Sequence, residues 1–234
     1  MARWMIELVG RQADLDLLNS RPWPGEYGVT HTESGYYLIA EAFDTLNTAM
    51  AVWKAGHQIL KRINGATKMV VVGFRPVRLG AVTEIDVVGP PRTTHVLFAN
   101  DLVLPPPQIG SPTLNPTDEQ QAESHDPIMS ILEKADVYPE LVPALELFAE
   151  SESLDWVDLY RVYEFIEHDI GSEKKLKDKG WSDKIELFKR TANALARHAP
   201  VKFLPPENPM HLVEANELIR RLLRRWINEK NSDD

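Results

Sequence analysis

Between positions 36 and 60 the chain places side chains of one type at alternating steps of three and four: Tyr36, Ile39, Phe43, Leu46, Met50, Trp53, His57 and Leu60, with only His57 out of type. That spacing keeps one continuous apolar seam on a helix. It predicts a helix over 34–63, capped by Ser34 and stopped near Asn64-Gly65. Beside the seam, Ala42, Ala49 and Gly56 recur every seven residues, and side chains that small let a second backbone come close. Two packings suit this pattern. The helix lies across a sheet of its own domain, or it pairs with a copy of itself and makes the chain a homo-oligomer through the helix 36–60.

Elsewhere in the first half the period is two. Strands are expected over 3–9, 69–74, 77–88 and 93–99, with a short helix over 11–20. Arg75-Pro76 and Gly89-Pro90-Pro91 are turn signals between the later strands, and short connections favour antiparallel pairing. The second half reads as helices over 127–135, 139–151, 154–170, 182–199 and 211–229. They are punctuated by Pro139, Asp155, Gly171, Gly180 and Pro205-Pro206. The helix 154–170 is apolar around most of its circumference, with Trp156, Tyr160, Tyr163 and Phe165, as suits the centre of a bundle. Lys174 to Lys179 reads as a basic loop.

Between the halves, residues 105–126 carry five prolines and four acids with no base. Such a segment buries too little surface to offset its ordering entropy. The expected organisation is α+β. An N-terminal antiparallel sheet with one long helix (1–104) is joined by a Pro-rich acidic linker (105–126) to a C-terminal all-α helical bundle (127–234).

Composition narrows the function. Of 234 residues 43% are hydrophobic and 26% charged, as in soluble globular proteins, and no run approaches the ~20 apolar residues of a membrane span. No membrane association is expected, and with no apolar signal segment at the start, a cytoplasmic location is. The net charge of −9 argues against a protein whose main task is gripping nucleic acid through a basic surface. There is no cysteine, which excludes disulfides, thiolate metal sites and cysteine nucleophiles. The seven histidines are scattered, none four residues from another, so no metal site and no cofactor is expected. Walker, dinucleotide-binding, zincin and nucleophile-elbow motifs do not occur.

Chemistry concentrates in 188–199, FKRTANALARHA. Ile185, Phe188, Ala192, Leu195 and Ala199 form an apolar stripe, and Glu186, Arg190, Asn193 and Arg197 fall together on the opposite side, with His198 beside them. Arginine stabilises charge developing on phosphate, and histidine can move a proton near neutral pH. Arg190, Asn193, Arg197 and His198 are therefore the candidate catalytic residues for RNA cleavage through the 2′-hydroxyl. The plainer reading is a surface helix with a Glu186–Arg190 pair. A helical C-terminal domain with a late Arg…His helix resembles the HEPN superfamily (higher eukaryotes and prokaryotes nucleotide-binding). Many members are RNases of toxin–antitoxin and phage-defence systems and dimerise to join two Arg…His motifs. The family sets its histidine a short distance after the arginine; here seven residues separate Arg190 from His198.

Three other features carry weaker signals. Arg161, Glu164 and His168 share a face of the helix 154–170, where Glu164 could orient an imidazole or reach Arg190. The run Arg220-Arg221-Leu222-Leu223-Arg224-Arg225 looks phosphate-binding, yet phasing spreads the arginines over a solvated face, with Glu217 placed to pair with Arg221. His57 reads as a core histidine bonded to a neighbour. Together these features favour a non-enzymatic interaction or regulatory protein acting as an oligomer, with a protein partner, in the bacterial defence or stress setting the resemblance implies. The alternative is a HEPN-like, metal-independent RNase with RNA as its partner.

Overall fold

The computed structural model describes residues 4–23, 25–85, 93–95, 113–114, 126–150, 154–181, 183–197 and 204–230. The chain divides into two compact units, 1–132 and 133–234.

In the first unit β1 (Trp4–Val9) alternates as a half-buried strand must, with Trp4, Ile6 and Leu8 buried. It is followed by α1 (Gln12–Asn19) and by the hairpin of β2 (Tyr27–Thr32) and β3 (Gly35–Ala40). Gly35 sits at φ +141°, closing the two-residue turn. After a 3₁₀ turn (Glu41–Thr45), α2 (Ala49–Val70) leads into β4 (Val71–Val72) and β5 (Arg78–Glu84). The backbones of β6 (Thr93–His95) and β7 (Thr113–Leu114) are also described. The main sheet is antiparallel in the order β2-β3-β1-β5-β6, and β4 pairs with β7. The expected antiparallel sheet with one long helix is present. No described helix is long and apolar enough to cross a membrane.

The helix expected over 34–63 is not continuous, and the seam through 36–60 as an oligomer interface goes with it. Its first part is β3, where Tyr36, Tyr37, Leu38 and Ala40 are buried. The pattern misled because Tyr36 and Phe43 are buried in either conformation. Tyr, Leu and Ile fit a pleated half-buried surface, and the hairpin glycine decides in favour of the strand. The helix begins at Thr48, whose Oγ1 accepts from the Ala51 N–H at 3.2 Å. It then runs past Asn64-Gly65 to Val70, taking the first two residues of the strand expected over 69–74, of which Val71–Val72 remain a strand. Ile63, Ala66, Met69 and Val70 keep the helical period there and are buried. Asn64 faces the core and clamps the chain entering β5: Nδ2 donates to the Val77 carbonyl at 2.8 Å, and Oδ1 accepts from the Val77 N–H at 3.1 Å. His57 is half-buried and stacked on Trp53, ring centres 5.1 Å apart.

The small residue in the seam does permit a close approach, but to the chain's own sheet. A Cβ built on Gly56 would lie 2.2 Å from Ile6 Cδ1 and 3.3 Å from Phe43 Cζ.

The expected linker 105–126 lies almost wholly outside the described residues. Within it are β7 and Asp126, which caps α3 (Pro127–Val137) by accepting from the Ile128 N–H at 2.8 Å and pairs with Arg21 at 2.9 Å. The division between units falls inside α3.

The second unit is helical, as expected. A 3₁₀ turn (Pro139–Leu141) precedes α4 (Val142–Glu150), then come α5 (Trp156–Ile170), α6 (Glu173–Asp178), α7 (Ile185–Ala192) and α8 (Leu212–Glu229). Asp155 caps α5 with bonds from the Val157 and Asp158 N–H groups, and Gly171 ends it at φ +96°. Phe188 of α7 lies among Trp156, Tyr160 and Tyr163 of α5, at ring-centre distances of 6.1, 6.0 and 5.8 Å. The basic loop expected over 174–179 is instead the helix α6. Ser172 caps it, Leu176 anchors it in the core, and Glu173 bonds Lys177 one turn on. Lysines at that spacing cost little in a helix once an acid sits four residues before one of them.

Gly56→Val should lower the stability of the protein by about 2 kcal/mol in urea unfolding, because the new side chain has to displace Ile6 and Phe43. Unchanged stability would mean that α2 does not lie this close to the sheet.

Candidate functional site

Once Phe188 points into the bundle, the remaining directions on α7 are fixed at ~100° per residue. Ile185, Phe188, Thr191 and Ala192 are buried, and Glu186 and Arg190 are exposed. Arg190 thus faces away from α5. The Glu186 carboxylate approaches Lys177 at 3.8 Å. Thr191, next to Arg190, is a strut: its Oγ1 donates to the Leu187 carbonyl at 2.8 Å and accepts from the Met210 N–H at 3.1 Å.

After Ala192 the helix loosens into a π-helical turn, Asn193–Arg197. Asn193 is half-buried, and its Oδ1 is buried with no hydrogen-bond partner among the described residues. Arg197 ends this turn and its side chain is outside the described residues, as is all of His198. Of the four candidate catalytic residues, Arg190 and Asn193 therefore have described side chains at the end of α7. The single helix expected over 182–199 becomes a helix with a π-turn at its end.

Arg161, Glu164 and His168 are exposed on α5. Glu164 and His168 line an open groove of about 730 Å³ with Phe165, Glu167, Ser172 and Glu173. The groove's wall is braced by a residue that the sequence reading passed over. Lys189 is turned toward α5 and α6, bonding Glu173 at 2.7 Å and approaching Glu167 at 3.6 Å, with its ammonium 5.3 Å from the centre of the Tyr163 ring. Burial pulls the Lys189 ammonium down, but Glu173 and Glu167 outweigh it and hold it raised. Burial, then the Glu167 carboxylate, pushes the Tyr163 hydroxyl up. Glu173 also accepts from Lys177 at 2.8 Å. The signal for this brace was present in the Glu173…Lys177 spacing; Lys189 could be assigned only once Phe188 was placed.

The arginine run is divided by the fold. Arg220 is half-buried with its guanidinium 5.6 Å from the Phe148 ring centre, and burial followed by the charge of Arg224 lowers its pKa. Arg225 donates to the Trp181 carbonyl at 2.7 Å and the Gly180 carbonyl at 3.2 Å. Glu217 and Arg221 stand exposed one turn apart. The end of α8 is fastened by Lys230 and Trp226, which bond Asp169 at 2.9 and 2.6 Å, and by a Lys230–Glu140 pair. Burial alone would raise the Asp169 carboxyl, but the Lys230 and Trp226 bonds hold it below its ordinary value.

No group of three or more histidine, aspartate or glutamate side chains among the described residues is arranged to hold a metal ion. The chain matches none of the family models, curated proteins or solved structures with which it was compared.

Bonds from Lys177 and then Lys189 hold the Glu173 carboxyl below the ordinary carboxylate range. A depressed folded value contributes stability above the unfolded pKa of about 4.3 and loses it as pH falls through the folded value. Glu173→Gln should therefore melt below the parent at pH 7, with the gap closing under pH ~4. A gap independent of pH would sink this assignment.

Proposed function

We propose that this chain is a non-enzymatic interaction or regulatory protein that works in an assembly and contacts its partner through the helical unit. The observation that carries this reading is an apolar surface at the start of α8. Leu204 is 83% exposed, Val213 72%, Leu195 55% and Leu212 37%. Single exposed leucines are ordinary. Leu195, Leu212 and Val213 lie on segments that converge, since the Met210–Thr191 bond ties the chain before α8 to the end of α7, and Leu204 stands six residues before Met210. Leu195 follows Thr191 by one turn, and Leu212 and Val213 follow Met210 directly. Contiguous apolar surface rimmed by charge marks protein contact sites. The setting that goes with this reading is cytoplasmic.

A photoreactive phenylalanine analogue at Leu204 or Val213 should give a discrete covalent adduct on irradiation in cells. The same group at Glu33, on the β2–β3 turn, should give none. If positions 204 and 213 both stay unlinked, the interaction reading fails.

A second reading, a HEPN-like metal-independent RNase, is favoured by the exposed Arg190 beside a π-helical turn, a geometry frequent at functional sites. On this reading purified protein cleaves labelled RNA in EDTA, and Arg190→Ala abolishes cleavage at a stability cost of about 0.5 kcal/mol or less. An intact substrate under conditions where a known metal-independent RNase works would dispose of it.

A further inference from the structure

Along α8 two acids, Glu214 and Glu217, come before four arginines, Arg220, Arg221, Arg224 and Arg225, and the closing Glu229 is paired with Lys179 at 2.7 Å. Ala215, Leu218, Ile219, Leu222, Leu223 and Trp226 are buried and hold the opposite side against the bundle. Much of the charge is occupied within the chain: Glu214 pairs with Lys184, Arg220 lies against Phe148, and Arg225 binds two carbonyls. Glu217 and Arg221 are exposed, and no other described residue engages either. They lie four residues apart on the line that begins at Val213, the exposed residue of the contact surface.

We propose that the partner at this surface is a second copy of the chain, docked with its α8 antiparallel across a two-fold axis between Glu217 and Arg221. The inference rests on the interaction reading above and names its occupant. The argument is charge complementarity. In an antiparallel pair Glu217 faces the partner's Arg221, and by symmetry Arg221 faces the partner's Glu217. The same axis brings Val213 over the aliphatic stem of the partner's Arg225. A parallel pair would set acid against acid and arginine against arginine, so the sorted charges select one orientation. Four residues are ~6 Å along a helix axis, so both pairs form when the axes lie at the usual ~8–10 Å.

The test is charge reversal, read by light scattering and analytical ultracentrifugation of the full chain. The parent should be a dimer that weakens as salt rises. Glu217→Arg and Arg221→Glu should each raise the dissociation constant about tenfold or more, since each sets like charges together, and the double variant should return it close to the parent. Both positions are exposed, so unchanged circular dichroism spectra are expected throughout, while the melts of the single variants fall only as far as the lost association requires. A monomeric parent, a single reversal without effect, or a double variant as weak as the singles overturns the proposal. Cross-linking from Val213 separates this failure from that of the underlying reading. An adduct of twice the chain mass supports the second copy, and one of any other mass leaves the interaction reading and overturns this one. No adduct from Val213 overturns this proposal, and no adduct from either Val213 or Leu204 overturns both.

Discussion

A helix packed on a bundle keeps one rotational freedom, and in the helical unit Phe188 removes it. Three aromatic rings of α5 surround this side chain at about 6 Å, distances at which aromatic pairs add attraction beyond their buried area. Everything chemical on α7 follows from that one insertion. Lys189 is carried onto the α5–α6 side, where two carboxylates and a tyrosine ring receive it. Arg190 is carried to solvent. Thr191 is carried inward, where its hydroxyl accepts the Met210 amide and fixes the approach to α8. The apolar surface at the start of α8 is thus positioned through Thr191 by the same ring that exposes Arg190.

In the first unit the comparable constraint is the absence of a side chain at Gly56. With the Ile6 Cδ1 methyl occupying the place of a Cβ, any other residue at position 56 would force the buried Ile6 side chain to move. The contact answers the question raised by the sequence pattern, because the small residue serves the chain's own sheet. Asn64 then does for α2 what Thr191 does for α7. A buried polar side chain satisfies both main-chain groups of Val77, which would otherwise be orphaned in the core.

The sequence was most legible where local signals agreed with tertiary demands. Asp155 and Gly171 bound α5 as their capping chemistry requires, and the alternation of Trp4, Ile6 and Leu8 specifies β1. It was least legible where two periods coincide. Tyr36 and Phe43 satisfy a heptad and also the structure found, and only Gly35 at positive φ separates a hairpin from a helix end. Val71 and Val72 extend a β-branched run whose start is helical, since burial of Met69 and Val70 overrides propensity. At the candidate site the outward direction of Arg190 was readable from phase alone. The role of Lys189 was not, because its partners lie on α5 and α6 and become neighbours only through the packing of Phe188.

The division of the arginine run shows why a cluster in sequence is a poor guide to a patch in space. Residues 220, 221, 224 and 225 span a single turn and a half, yet they have different surroundings. Arg220 is turned onto Phe148, where desolvation works against its charge. Arg225 closes over the carbonyls of Gly180 and Trp181, which follow α6. A guanidinium committed to carbonyls or an aromatic face is a poor counterion for phosphate, since binding would have to undo that contact first. What α8 keeps for the outside is one acid and one base in the order that matches a reversed copy of itself. A surface so balanced attracts no polyanion, and the net charge of −9 opposes one at longer range. Local charge order and global charge sign therefore favour recognition of a protein helix by this face.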